Sequence, residues 1–316
     1  MRESNWMSLT ATAAAVLLLL SLFIRPFLEI YIAPEHAIIV QAIIANIAAS
    51  FVFLLSTEIG RIAIIQRDKT RFRKFFGNLA KKPGASRLIF PEFSLSSSCE
   101  EKLTDIPHHH RFAKYMGDNP SQRFADIPNI VSSNDLRGLM IFTFGFGEFS
   151  HTMPQPVSDE LAVKALQEGP LNLSLVSFGL TSNSVTDLYL SIDDKPLFTL
   201  KDDTRHAENQ AQNPEIIVGR EAYGKDAQHQ HGIILRFRPN PQTDPDQYWF
   251  ICAGVAAVGT PAAAGLLMNE WRRYLKKFGQ EDFLILFRVS NNMAGFSRQN
   301  VIGEFTRAQL EKDHGE

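Results

Sequence analysis

The sequence predicts an α/β protein: an N-terminal two-helix transmembrane hairpin, followed by a Rossmann-like, mostly parallel sheet with helices on both faces. Three observations predict it. Two long apolar runs without mid-run Asp, Glu or Lys fill most of the first sixty residues. Beyond them, apolar runs of five to eight residues, rich in Ile, Leu and Phe, alternate with segments of helical periodicity, as buried parallel strands and their crossover helices do. Several of those runs end in glycine and small polar residues, the composition of loops at strand ends. The 316 residues, 21% charged and 45% hydrophobic, suit a folded chain rather than a disordered one. We divide it into residues 1–60, two spans; 61–85, a basic juxtamembrane linker; and 86–316, a cytoplasmic domain.

The spans come first. MSLTATAAAVLLLLSLFI (7–24) runs past Arg25-Pro26 into FLEIYIA, and AIIVQAIIANIAASFVFLLS (37–56) follows. Crossing ~30 Å of hydrocarbon takes roughly 20 apolar residues. A cleaved signal peptide competes for the first run, but its leading segment has only Arg2, offset by Glu3, and a second run follows at once. Residues 61–82 carry eight Lys or Arg against one Asp, whereas the turn EIYIAPEH has Glu29 and Glu35 and no Lys or Arg. Positive-inside bias then places both termini in the cytoplasm, the anchor lying in a bacterial inner membrane. Asn46 and Ser50 share a helix face and either bond across a helix pair, supporting a homo-oligomer through the spans, or are tolerated polar residues. In RDKTRFRKFFGNLAKK, Phe72, Phe75, Phe76 and Leu79 interleave with the charges. This reads as an amphipathic helix on anionic headgroups, so the bilayer is the expected partner and nucleic acid is not.

After the break at KKPGAS (81–86), RLIFPEF (87–93) reads as the first strand. A long polar stretch follows with His108, His109 and His110; adjacent loop histidines diverge and lack ligand spacing, so no metal is expected. RGLMIFTFG (137–145) reads as an apolar run of strand type, SDELAVKALQEG (158–169) as a helix capped by Ser158, and LNLSLVSFG (171–179) as a strand. LTSNSVTDLYLSI opens a short helix or turn, PLFTL (196–200) is a strand, and HGIILRFRP (231–239) and YWFICAG (248–254) form an antiparallel hairpin across a Pro/Asp loop. A helix over 260–277 and the strand DFLILFRVS (282–290) close the core. Cys252 lies in an apolar run and reads as a small buried residue; with Cys99 far away, no disulfide framework is indicated.

Three loops suggest one site. FTFGFGE (142–148), SFGLTSNS (177–184) and CAGVAAVGT (252–260) each follow an apolar run, and parallel strands put their carboxyl ends on one edge, where ligands bind. In the third, Gly254 and Gly259 permit positive φ and close approach, Thr260 suits an N-cap and Pro261 the first helical position, so an anion could meet the helix N-terminus. No lysine follows, so it is not a Walker loop, and a tight turn without ligand stays open beside the anion site. In the second, Gly179 is followed by Thr181, Ser182, Asn183 and Ser184, which suit ribose hydroxyls or phosphate, or a capped helix start. The first offers Gly145 and Gly147 as ligand contacts and Glu148 with His151 as a candidate acid/base pair. Arg236, with Arg238 and Asn240, could reach an anion.

The segments RLIFPEF, YMGDNP, NDLRGLM, FGLTSNSVT, GIILRFRPNP and WFICAGVAAVGTPAAAGLLMNEW resemble an uncharacterised prokaryotic domain that occurs in varied architectures, some with membrane spans. The resemblance covers residues 86–290 and rests on Ser182-Asn183 after a strand glycine, Arg-x-Pro-Asn-Pro, and Ala-Gly-x-x-x-x-Gly-Thr-x-x-Ala-Ala. It implies a sensing domain more than an enzyme. More distantly, the chain is similar in architecture to Rossmann-like nucleotide-sensing domains of bacterial antiphage systems. The expectation is a membrane-anchored sensor or effector that binds an anionic, nucleotide-derived ligand and signals to the spans, with no further cofactor. The alternative is a membrane-anchored glycosidic-bond hydrolase of nucleotides or nucleosides using Glu148 or Glu160.

Overall fold

The computed structural model describes residues 16, 30, 33–94, 129–168, 173–181, 183–201, 214–256, 258–291 and 300–314. It divides into two compact units, 1–70 and 71–316.

In the first unit, the predicted run 37–56 lies in helix α1 (Pro34–Phe76), 43 residues long. It is long and apolar enough to cross a membrane. Along it Ile38, Ile39, Ile43, Ile47, Val52, Phe53 and Leu54 are exposed. The Ser50 hydroxyl donates to the Asn46 carbonyl at 2.8 Å, and Ser56 does the same to Val52. Each hydroxyl is thus satisfied within its own helix. The first run, 7–24, lies outside the described residues apart from Val16, which is helical.

The second unit is built on a seven-stranded mixed sheet. Its strands are β1 (Arg87–Phe90), β4 (Gln155–Ser158), β5 (Leu175–Phe178), β9 (His229–Phe237), β10 (Trp249–Gly254), β11 (Phe283–Ser290) and β12 (Val301–Thr306). The order is β12-β11-β9-β10-β5-β1-β4. Three neighbouring pairs are parallel (β10/β5, β5/β1, β1/β4) and three antiparallel (β10/β9, β9/β11, β11/β12). The expected mostly parallel sheet is therefore corrected to a mixed one. The reason is connectivity: the eleven residues 238–248 that join β9 to β10 hold no helix, so β10 returns beside β9 as a hairpin, as expected from the Pro/Asp loop. Within the parallel half, β1 lies between β4 and β5. The chain leaves β1 in one direction and then returns to its other side, which makes β1 a topological switch point.

Helices cover both faces. α3 (Ser133–Gly147) and α6 (Gly259–Phe278) lie on one face over Leu88, Val176, Phe178, Ile234, Phe250 and Cys252. α4 (Asp159–Glu168) and α5 (Ser184–Ile192) lie on the other over Ile89, Leu175, Ile233, Trp249 and Ile251. Consecutive sheet residues divide strictly between these two cores, as the strand period of two requires. A small sheet of β6 (Thr199–Lys201), β7 (Glu215–Val218) and β8 (Glu221–Tyr223) adds Ile216 and Val218 to the second core. A two-stranded pair, β2 (Glu92–Ser94) with β3 (Asn129–Val131), follows β1 and precedes α3. The last described helix, α7 (Arg307–His314), is held by a two-pronged contact from Arg307 to Asp193 at 2.7 and 3.0 Å.

Two predicted assignments change. RGLMIFTFG is not a strand; it lies in α3, where Asp135, Gly138, Phe142 and Phe146 form the buried stripe at helical spacing. The interleaved phenylalanines after the span do not rest on headgroups. Phe72, Phe75 and Phe76 are buried in the first core, with Leu79 of α2 (Asn78–Lys81). Phe72 meets Phe146 of α3 at 4.9 Å and Trp271 of α6 at 5.3 Å between ring centroids. The end of α1 is therefore a core helix of the α/β unit, and only the charged residues between the rings face outward.

Candidate functional site

Two of the three proposed loops share an edge. β5 and β10 are parallel neighbours, and the Gly179 N–H donates to the Cys252 carbonyl at 3.1 Å, so Gly179 and Gly254 leave the sheet side by side. The third does not join them. Gly145 and Gly147 lie in the last turns of α3, and Glu148 is its C-cap. α3 runs alongside α6 in the same sense: Gly138 approaches Thr260 and Pro261, and Gly145 approaches Met268. The first turn of α3 thus reaches the strand-carboxyl edge, and its last turn lies ~20 Å away at 1.5 Å per residue. Glu148 and His151 are both exposed at that far end. They cannot act as an acid/base pair for a ligand held by the other two loops. Ser182 lies outside the described residues.

Arg236 also leaves the site. It pairs in register with Phe250 and Phe283 at the opposite end of β9 and is fully buried. Its guanidinium donates to the carbonyls of Gly279 (3.0 Å) and Glu281 and lies 4.7–5.0 Å from the ring centres of Phe75, Tyr248 and Phe283. Burial lowers its pKa to about 10, which still leaves the group charged at neutral pH. It is a structural cation, holding the α6–β11 turn against the end of α1. Arg238 is also structural, donating to Asp282 at 2.9 Å.

What the edge does contain is a set of buried acids and amides. Asp159, 2% exposed at the start of α4, accepts from Ser184 N–H and Ser184 hydroxyl at 2.9 Å each and from Glu92 N–H at 3.1 Å. It joins the ends of β1, β4 and β5 where the topology switches. Asn183 is the N-cap of α5: its carboxamide oxygen accepts from Val185 N–H, and its NH2 donates to the Phe178 carbonyl, both at 2.9 Å. Thr181 and Ser184 are partly exposed beside it. Asp135, 7% exposed in the first turn of α3, bonds the Ser132 and Thr260 side chains; burial pushes its carboxyl above the usual carboxylate range. Gln230, at the start of β9, accepts the Gly259 N–H at 3.2 Å and donates to Asn291 at 3.2 Å.

The glycine-bearing turn works differently from the expectation. Gly254 and Gly259 both have negative φ; the positive-φ glycines among the described residues are Gly77, Gly179, Gly219 and Gly279. They are needed because they touch each other: a Cβ on Gly254 would lie 2.3 Å from the Gly259 Cα. α6 starts at Gly259 with Val258 as N-cap and no side-chain cap, so Thr260 is inside the helix and its hydroxyl turns to Asp135. The first N–H groups are largely spoken for: Gly259 by Gln230, Ala262 by Val258, and Pro261 has none. Residues Gly259 to Met268 are all buried between the sheet and α3. A dipole end of this kind favours an anion, and here the protein's own Asp135 lies against it.

The buried acids and amides of the edge, Asp135, Asp159, Asn183 and Gln230, bond to the protein itself, and Thr181 and Ser184 are the partly exposed polar side chains beside them. Asp135, Asp159 and Gln230 are legible only through their partners, since isolated Asp and Gln residues in the sequence signal nothing, whereas Asn183 is marked by the sequence and takes the capped-helix-start reading as N-cap of α5. Among the described residues the one thiol, Cys252, has its pKa pushed up by complete burial and is inert. Among the described residues no group of His, Cys, Asp and Glu could hold a metal ion. No protein-family model, curated protein or solved structure shows significant similarity to the chain.

Proposed function

We propose that this protein is a membrane-anchored sensor whose α/β unit binds an anionic, nucleotide-derived ligand at the carboxyl edge of the parallel strands and relays its presence to the anchor. In this reading the anchor is a two-span hairpin in a bacterial inner membrane with both termini cytoplasmic. One observation carries the relay: α3 and α6 begin at the candidate edge, contributing Asp135 and Thr260, and both pack further along on Phe72 near the end of α1. A ligand that separates the two helix starts changes what the end of α1 packs against. Most of the helix N–H groups nearest the edge are already bonded, so affinity comes from sugar hydroxyls and base edges meeting Asp135, Thr181, Ser184 and Thr260, with phosphates directed outward. Gly179, Gly254 and Gly259 shape this edge without donating to the ligand.

The test is thermal unfolding of the full chain in detergent against mono-, di- and cyclic nucleotides, with chromatography of the ligand afterwards. A sensor gains stability and returns the ligand intact, and Asp135→Asn weakens binding about tenfold, as loss of a charged hydrogen bond does. If no nucleotide raises the midpoint, the proposal fails. Consumption of the ligand would instead favour a hydrolase, with Glu160, exposed at the start of α4, the first residue to replace.

A further inference from the structure

The outward face of α3 carries a pattern that its own unit does not use. Ser133, Leu136, Arg137, Met140, Phe144, Gly147 and Glu148 fall within about a third of the helix circumference, and all are exposed. Leu136, Met140 and Phe144, spaced four apart, are 46%, 48% and 72% exposed. One end of this stripe carries a cation and the other an anion, and both are on the wrong end of their own helix. Arg137 lies in the second turn, toward the positive end of the macrodipole, and Glu148 is the C-cap, at its negative end. Among the described residues neither forms an ion pair. An antiparallel partner reverses both penalties. It sets Glu148 of each copy against the amino-terminal end of the other α3 and opposite Arg137, with Met140 and Phe144 meeting near the two-fold axis.

We infer that this face of α3 is a homodimer interface, occupied by the same face of a second copy in antiparallel, two-fold arrangement. A single helix face covers less than the ~800 Å² per partner of a standard stable interface, so the contact is weak in dilute solution and populated when the chains share a membrane, where tethering raises the effective concentration. This interface is independent of any ligand at the strand edge and of any contact between spans.

Cross-linking in phosphatidylcholine vesicles tests it on the full chain, in a Cys99→Ser background that leaves the buried Cys252 as the one native thiol. Met140→Cys, next to the axis, is expected to give a disulfide-linked dimer under mild oxidation. Leu161→Cys, 63% exposed on α4 on the other face of the sheet, reports random collision. Arg137→Glu or Glu148→Arg added to Met140→Cys places like charges opposite each other and cuts the dimer about five-fold, the scale of a modest exposed ion pair. Combining both reversals restores it. Tryptophan fluorescence of each variant confirms that the fold is retained. The inference is overturned if Met140→Cys links no better than Leu161→Cys. It is equally overturned if the single reversals leave the yield unchanged or the double reversal fails to restore it.

Discussion

Gly77 joins α1 to α2 with φ 55° and ψ −130°, and Gly279 follows α6 with φ 55° and ψ −115°. The two backbones are nearly the same, but their surroundings are not. A Cβ at Gly279 meets nothing within 4 Å, whereas at Gly77 it would lie 2.0 Å from the Asp246 carbonyl oxygen and 2.5 Å from the Tyr248 ring. Alanine at either site incurs the backbone strain, about 1–3 kcal/mol. At Gly77 it also forces the Asp246 carbonyl and Tyr248 aside, about 1–3 kcal/mol of overpacking. It further strains the 2.8 Å bond from Asn78 N–H to that carbonyl, about 1 kcal/mol. Gly77→Ala should therefore cost about 2–4 kcal/mol more than Gly279→Ala, out of the roughly 5–15 kcal/mol that holds a domain together. Trp249 and Trp271 are both fully buried in this unit, so urea titration of the full chain in detergent, followed by tryptophan fluorescence, reads the loss directly. Equal midpoints for the two variants would refute the steric argument and with it the tight seating of the end of α1.

Two further outcomes are expected. Arg236→Met keeps the volume but leaves the Gly279 and Glu281 carbonyls without their donor, so it should cost about 3–5 kcal/mol in the same titration while leaving affinity for any edge ligand unchanged; an unchanged midpoint would show that the buried cation does not hold the turn. Asp135 has a native-state pKa above its unfolded value, so the native state binds the proton more readily. Its contribution to stability therefore rises as pH falls through the native value and levels off below the ordinary carboxylate range near 3.9. Stability measured between those limits should rise less steeply on acidification in Asp135→Asn than in the parent, and parallel curves would contradict the burial assigned to this carboxyl.

The apolar runs by themselves determined a helix of spanning length, the strands β1, β5, β9, β10 and β11, the helices α4 and α6, and the antiparallel return of β10. Each follows from local period, caps and linker length, which a chain carries without knowledge of its neighbours. The run 137–145 reads as a strand because a helix buried on one face and apolar on the other has no polar side to mark its period; only its packing on α6 distinguishes it from a buried strand. β4 and β12 carry no clear apolar run for a related reason: edge strands are short and half polar. The phenylalanines at 72, 75 and 76 show the same limit, since an amphipathic helix reads alike whether its apolar face meets lipid or a sheet. The tertiary structure also decided the site. Sequence brought Gly179 to Ser184 together with Gly254 to Thr260 through the shared direction of parallel strands, but it could not say that Asp135 would lie against the start of α6. It could not say that Gly254 and Gly259 serve each other, or that Arg236 would turn into the opposite end of the core. Those are contacts between distant residues, 125 positions apart for Asp135 and Thr260 and 43 for Arg236 and Gly279, or between closely approaching backbones, and such contacts exist only once the layers are stacked.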